Sequence, residues 1–544
     1  MTSPAEIQRN LIQRVNVGDS LTRTAARRPD ALALADGPRR LTYAQFNAEV
    51  NRLAHALERR GYQRGDALAL ASGNSIEFLV TYYACAKLGV VCVPVNLGWR
   101  ADEVAYVLGH SGARGIVAEA QLLDGLGPAL AAQPGVTDVI VAPGTGPAAQ
   151  PGRAPGTGPA IPPGRVVTAF AELAEDGDDC EPECLVGDRD PVSYLYTSGT
   201  TSFPKGVIGH HSAIYLESMS MALEARFDDT DRFAAMMPMF HTAQLNCHCT
   251  AAVMVGAALY IQRGFDAAAL LELIEAERIT QIFGLPMMYR QLLEHPDRPR
   301  RDLSSLRRAL YAMAPMPQAQ LRRCIEAFGC DFYLLFGQTE MSPTATLFRP
   351  EHQLSHGGAV GTPVANVQVA VMDEQGRLLT PGETGEIVYR GPHTLTGYLN
   401  DQAATDAAFA HGWFHSGDVG RFDADGLLWF SDRRKDVIKT GGENVASIEV
   451  EKALYAADEA IAETAVVGLP HERWTEAITA FVVARPGAAI DEAGLLARVR
   501  GHLDPYKVPK AVIVVAELPK TSTGKVQKNL LRDRHAGHYG GTGG

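Results

Sequence analysis

The chain has 544 residues, a net charge of −12 and 46% apolar residues, which is too long for one ordinary domain and has the composition of a normal globular protein. The acidic balance argues against nucleic acid and anionic membrane surfaces as partners, and eight cysteines in such a length argue against a disulfide framework. The best apolar runs do not make a membrane span, since Phe78–Leu97 is broken by Lys87 and Cys249–Ile261 is too short. The N-terminus has no basic-then-apolar signal pattern, so a cytoplasmic location is expected. Cys180 with Cys184, and Cys247 with His248 and Cys249, lie close in sequence. Neither group has four ligands at a familiar zinc spacing, and ordinary buried or loop thiols are expected.

The first part alternates helix and strand. Thr42 to Arg60 predicts a helix: Thr42 with Gln45 fits a capping box, Phe46, Val50, Leu53 and Leu57 form one apolar face, and Gly61 ends it. Ala67–Ala71 reads as a strand, Ser75–Leu88 as a helix and Val90–Val95 as a strand, and Ala101–Leu108 with Ile116–Ala118 repeats the pattern. Such alternation implies a mostly parallel sheet. Residues 142–165 are rich in Pro, Gly and Ala and repeat APGTGP, which predicts a poorly ordered surface loop. Strands are expected again near Val192–Tyr196, Ala257–Ile261, Ile279–Leu285, Leu310–Met313 and Phe332–Phe336, with helices between them. From Val367 the texture becomes β-rich, with Val367–Asp373 and Glu386–Tyr389 flanking the turn-laden EQGRLLTPGETG. A compact α+β segment follows Arg433, and the Gly-rich tail 537–544 is expected to be disordered.

The richest chemistry lies in YTSGTTSFPKGV, Tyr196 to Val207. Thr197, Ser198, Gly199, Thr200 and Thr201 put hydroxyls and backbone N–H groups into a short loop after a strand, and Lys205 adds a positive charge. This is a polyphosphate cradle, although the Walker pattern is not met. FGQTE, Phe336 to Glu340, places a carboxylate at a strand end, where it suits Mg²⁺ beside a polyphosphate. WFHSGD offers Asp418, able to accept two ribose hydroxyls, and DRRKD offers Arg433 and Lys435. KTGGEN carries Gly441 and Gly442, which permit close backbone approach. PKTSTGKVQK places Lys525 behind Gly524 and small polar residues, in an exposed and mobile loop.

In order and spacing these segments resemble the adenylate-forming superfamily: acyl-CoA synthetases (the AMP-binding enzymes), carrier-protein adenylation domains and beetle luciferases. The resemblance covers nearly the whole chain. It implies an α/β fold, with a large multi-subdomain N-terminal domain of mostly parallel sheets over 1–434 and a small mobile α+β C-terminal domain over 435–544, hinged at Lys435. It implies ATP, Mg²⁺ and coenzyme A, with Thr339 and the phosphate loop on the nucleotide phosphates and Glu340 on Mg²⁺. Phe336, with Gly337 and Gln338 beside it, would lie against adenine, and Asp418 and Arg433 would hold the ribose. Lys525 would stabilise the substrate carboxylate and the α-phosphate during adenylation, and Gly441 and Gly442 would line a pantetheine tunnel. AMAPMP, Ala312 to Pro317, matches a loop beside adenine and the acyl group: Ala314 and Pro315 fit, while Ala312 and Met313 are larger than the usual glycines. His241 in PMFHTAQ matches a gate of the acyl pocket, and the absence of a carboxylate in that segment favours an acid lacking an α-amino group.

One position departs from the pattern. Ser202, followed by Phe203, stands where the phosphate loop is usually Gly. A Cβ there resists positive φ at a cost of about 1–2 kcal/mol if the loop needs it. The reading is therefore an acyl-CoA ligase that forms an acyl-adenylate from a small carboxylic acid and passes the acyl group to CoA. A thioesterification-only enzyme, fed with acyl-adenylate by a partner enzyme, is the first alternative. A luciferase-like oxygenase and a non-catalytic nucleotide- or acyl-binding relative are the others.

Overall fold

The computed structural model describes residues 3–144, 161–174, 177–197, 203–313, 316–521 and 525–539. They form two compact units, Met1–Val369 with Tyr389–Phe414, and Ala370–Val388 with His415–Gly544. The boundary expected at 434/435 falls inside the second unit. The reason is local: strands Phe414–Phe422 and Leu428–Arg433 pair antiparallel, with Asp418 opposite Arg433, so the residues before Lys435 are tied into the smaller unit.

Two sheets organise the first unit. In one, the strand order is Val166–Ala169, Asp138–Ala142, Ala113–Glu119, Ala67–Ala71, Val91–Pro94, Pro191–Thr197, Lys205–His210. Its pairs are parallel except the last, which is an antiparallel hairpin around the phosphate loop. The Pro/Gly-rich stretch 142–165 thus joins two neighbouring parallel strands; of it, 145–160 lie outside the described residues. The second sheet runs Thr362–Pro363, Thr344–Phe348, Asp331–Gly337, Arg308–Tyr311, Gln281–Gly284, Arg232–Ala235, Ala258–Ile261, Leu32–Asp36, Arg39–Thr42. Alternation of strand and helix therefore yields the parallel α/β architecture that it predicts.

The helices form for legible reasons. Tyr43–Arg59 begins at a reciprocal Thr42–Gln45 capping box, buries Phe46, Val50, Leu53 and Leu57 completely, and is followed by Gly61 at φ +79°. Ile76–Leu88 is buried along its whole length. Near its C-terminal end Lys87 donates to Asn47 Oδ1, Asn51 Oδ1 and Glu181 Oε2 at 2.8, 2.7 and 2.6 Å, which is how a buried cation is tolerated. Burial lowers the Lys87 pKa and the Glu181 carboxylate opposes that. No helix among the described residues is long and apolar enough to cross a membrane. All eight cysteines are free thiols.

A four-stranded sheet runs Gln368–Met372, Gly385–Arg390, Phe414–Phe422, Leu428–Arg433, and the second unit contains the sheet Glu443–Val445, Ile438–Thr440, Thr475–Ala484, Ile461–His471, with Ala511–Val514 parallel to Thr475–Ala484. Period-2 alternation divides the long hairpin between two cores. Val466, Ile478, Ala480 and Val482 pack with Val450, Leu454, Leu495 and Val499. Ala465, Val467, Leu469 and Phe481 pack with Leu518 and Leu531. The tail expected to be disordered begins inside this packing: the Tyr539 hydroxyl lies 3.0 Å from Thr479 Oγ1, while 540–544 lie outside the described residues.

Candidate active site

In the first unit the phosphate-loop hairpin ends at Thr197, paired with Lys205. The segment Thr396–Leu399 runs along the outer strand, with Thr396 N donating to Ile208 O (3.0 Å), Ile208 N to Gly397 O (3.0 Å) and Leu399 N to Gly206 O (2.8 Å). This pairing brings Tyr398 beneath Lys205, whose ammonium lies 5.0 Å from the ring centroid. The Tyr398 hydroxyl donates to Glu340 Oε1 at 3.0 Å, and Leu395 N donates to Glu340 O at 2.7 Å. Burial, reinforced by the Glu340 charge, holds the Tyr398 hydroxyl protonated well above its usual range. One tyrosine therefore links the lysine and the acid through its face and its hydroxyl.

Glu340 sits on the turn Thr339–Met341 that follows strand Asp331–Gly337. Gly337 is required there, because a Cβ would lie 2.0 Å from Pro343 O. Gln338 N bonds that same carbonyl at 3.0 Å, while Gln338 Nε2 is buried without a partner among the described residues, a donor suited to a ligand. Phe336 is half-buried at the strand end. A carboxylate oxygen next to a cation and an unsatisfied amide is a donor set that fits a Mg²⁺-bearing polyphosphate.

His241 caps the turn Thr242–Gln244, accepting from Ala243 N at 3.2 Å. A π-helical turn, Leu245–Cys249, follows, a feature that often marks functional sites. It holds Cys247, His248 and Cys249 as buried groups, with His248 stacked on Phe283 at 4.4 Å. Burial pushes the His248 imidazole down to about 4. Met313 has φ +69°, in the left-handed region that favours glycine, and it is 40% exposed. Ala312 beside it is buried.

In the second unit the Asp418 carboxylate, almost wholly buried, pairs with Arg433 Nε at 2.7 Å. Asp418 N donates to Ser416 Oγ at 3.0 Å and Gly417 N to Glu386 Oε1 at 3.0 Å, which fixes the SGD turn. Lys525 lies in the field of Arg433, Lys435, Asp418 and Asp436. Protein packed around its ammonium, then the Arg433 charge, push Lys525 down to about 8, although much of the side chain still reaches solvent. Lys435 is shifted down as well, by burial first, against the pull of Asp436.

A family model described as "AMP-binding enzyme" matches residues 21–399, and one described as "AMP-binding enzyme C-terminal domain" matches 449–525. The chain belongs to the AMP-binding enzyme family. It is 33% identical to a feruloyl-CoA synthase of an Amycolatopsis species over 95% of this chain and 99% of that protein. It is 34% identical to a long-chain-fatty-acid–CoA ligase of Mycobacterium tuberculosis over 91% and 93%. The ATP-bound structure of MatB from Rhodopseudomonas palustris superposes with a TM-score of 0.85 at 28% identity, covering 97% and 100%. The expected fold class and enzyme class, an AMP-forming acid–thiol ligase, accord with these matches.

Within this AMP-binding enzyme, Lys205 and Glu340 converge in the first unit, and Asp418, Arg433, Lys435 and Lys525 converge in the second. Ser198, Gly199, Thr200, Thr201, Ser202, Ala314 and Pro315 lie outside the described residues. Gly441 and Gly442, at φ +60° and +88°, form the two-residue turn of the hairpin Ile438–Thr440/Glu443–Val445. A Cβ on Gly441 would meet Trp474 at 3.1 Å, whereas one on Gly442 would meet nothing within 4 Å.

Sequence reading missed Tyr398, since a lone tyrosine in GYLN carries no pattern of its own; only the strand pairing places it. It also missed the partner of Phe203, which stacks on Tyr106 with centroids 4.5 Å apart. Tyr106 in turn stacks on His110, and His110 Nδ1 lies 2.9 Å from the Tyr196 hydroxyl. The residue after Ser202 is thereby tied to the strand that opens the loop.

Proposed function

We propose that the protein is a two-step acyl-CoA ligase for a carboxylic acid lacking an α-amino group. The observation that carries this reading is the Lys205–Tyr398–Glu340 arrangement. Lys205 would meet the β- and γ-phosphates of ATP, and Glu340, oriented by the Tyr398 hydroxyl, would hold Mg²⁺ with Thr339 beside it. The metal, when bound, would neutralise phosphate charge as pyrophosphate leaves. Asp418 and Arg433 would position the ribose, and Phe336 the adenine. The Lys525 ammonium would draw the substrate carboxylate and the α-phosphate together. CoA then attacks the acyl carbonyl and AMP leaves, with the Gly441–Gly442 turn along the pantetheine path and Lys435 as the hinge between the half-reactions. His241, Ala312 and Met313 would border the acyl group. The named relatives act on feruloyl and long-chain acyl substrates, which supports acids of that breadth and makes both classes the first to try.

A second reading rests on Ser202: adenylation is lost and a preformed acyl-adenylate, supplied by a partner enzyme, is the substrate. One experiment tests both. The protein receives aromatic and fatty acids with ATP, Mg²⁺ and CoA, and in parallel the matching synthetic acyl-adenylates with CoA, and mass spectrometry follows acyl-AMP and acyl-CoA. Acyl-CoA from both feeds is expected. Product from the adenylate alone would replace the two-step reading with the second one, and product from neither would remove both.

A further inference from the structure

His55 lies in the last turn but one of helix Tyr43–Arg59, and residues 177–183 cross that helix. The crossing is fastened by Asn51 Nδ2 donating to Asp179 O at 2.9 Å, and by Asn47 and Lys87 both donating to the Glu181 carboxylate at 2.6 Å. It brings together three chemically different ligands, the His55 imidazole, the Asp178 carboxylate and the Cys180 thiol, with one ligand atom of each within 4.8 Å of the others. Among the described residues this is the one such trio. It differs from the cysteine groupings weighed from the sequence, because Cys180 pairs with a histidine far away in the chain rather than with Cys184.

The spacing suits an ion. Cys180 Sγ is 3.6 Å from His55 Nε2. A tetrahedral Zn²⁺ with bonds of about 2.3 Å to sulfur and about 2.0–2.1 Å to nitrogen puts those two atoms roughly 3.5 Å apart. The outer shell is present too. His55 Nδ1 faces Glu58 Oε2 at 3.5 Å, the carboxylate partner that ligating histidines commonly have on their second nitrogen. Asp178 Oδ1 accepts from Cys180 N at 3.0 Å, which holds the acid beside the thiol.

We propose that His55, Asp178 and Cys180 form a binding site for a zinc-like divalent transition-metal ion, with water completing the tetrahedron. The nitrogen–sulfur–oxygen set selects a borderline-soft ion over Mg²⁺, so the site is chemically separate from Glu340. On binding, the Cys180 thiol releases its proton to solvent and the thiolate takes the metal. His55 Nε2, now 3.1 Å from Cys180 O, presents its lone pair, and its proton moves to Nδ1 facing Glu58. The ion clips the crossing segment to the helix and takes no part in acyl transfer.

The test uses the tag-free full chain, stripped with a chelator and titrated with Co²⁺ without nucleotide. One equivalent should give tetrahedral absorption with a thiolate-to-cobalt charge-transfer band and release about one proton per ion bound, and Zn²⁺ should then erase the band without further proton release. Cys180→Ser should remove the band. His55→Ala and His55→Gln should each weaken binding at least tenfold, and Cys184→Ser should titrate like the wild type. A wild-type protein without the band, a band that persists in Cys180→Ser, or one lost in Cys184→Ser would overturn the assignment.

Discussion

The two units carry charge in different ways. In the first, Lys205 and Glu340 are held by one tyrosine, the cation over its face and the acid at its hydroxyl. In the second, Asp418 and Arg433 touch directly, and Lys525 lies among two other cations and two acids. The difference matters because burial and the Glu340 charge raise the Tyr398 hydroxyl well above its usual range, so it stays a donor to the acid. A lysine already pushed down to about 8 makes the second responsive to pH. Packing sets the first site, and electrostatic balance sets the second.

The largest effect should come from the second unit. Lys525→Ala should lower acyl-AMP formation about 10²–10³-fold, the scale for removing one charge-stabilising donor, while CoA transfer from a synthetic acyl-adenylate stays near wild type. Equal loss in both assays would mean that Lys525 holds the unit together rather than serving adenylation. Tyr398→Phe follows in size. It keeps the face for Lys205 but removes the hydroxyl that orients Glu340, so the Mg²⁺ needed for half-maximal adenylation should rise roughly 10–100-fold. Tyr398→Leu removes both interactions and should add a higher KM for ATP. A Tyr398→Phe enzyme with unchanged Mg²⁺ dependence would separate the tyrosine from the metal.

The pH response sharpens the contrast. On the proposed role the ammonium of Lys525 is the active form, so its contribution should be present below about 8 and lost as pH rises through that value. Adenylation kcat/KM should then fall about tenfold per pH unit. In Lys525→Arg the charge persists, so the alkaline limb should flatten, at a lower plateau. The partial reaction from acyl-adenylate should lack this limb in both proteins.

Much of this was legible in the sequence, for physical reasons. The Thr42 capping box, the buried face of Tyr43–Arg59 and the all-buried strand Ala67–Ala71 follow from local pattern, because local pattern determines them. Glu340, Asp418 and Lys525 were visible as motif residues whose neighbours in the chain carry related chemistry. Tyr398 was not, since its role depends on a strand pairing with Gly206 and Ile208, far earlier in the chain. The Phe203–Tyr106 stack and the His55–Cys180 contact were hidden for the same reason. The opposition of Asp418 and Arg433 across paired strands is likewise a fact of sheet pairing that composition does not carry.

Smaller effects test what the glycines are for. Gly442 has φ +88° with open space where a Cβ would go, so Gly442→Ala should cost about 1–2 kcal/mol of stability through backbone strain alone. Gly442→Asn should recover most of that, because asparagine tolerates the left-handed region, and the pair separates turn formation from backbone approach to CoA. If Gly442→Asn restores the melting temperature but not the KM for CoA, the turn serves the ligand as well as the hairpin. If it restores both, the hairpin alone requires the glycine.

Met313 is the converse case, a large side chain in glycine's conformation at φ +69°. Met313→Gly relieves about 1–2 kcal/mol of strain but gives back about 0.5–1 kcal/mol in unfolded-chain entropy, so the net gain should be at most about 1.5 kcal/mol, read as a small rise in melting temperature. The strain would be retained for what the side chain does beside the acyl group. Bulk removed there should improve kcat/KM for the wider acids of a panel and leave ATP binding unchanged. If stability rises and the acid profile does not move, Met313 does not border the acyl group. A shifted profile would locate the pocket wall that motif order alone could only suggest.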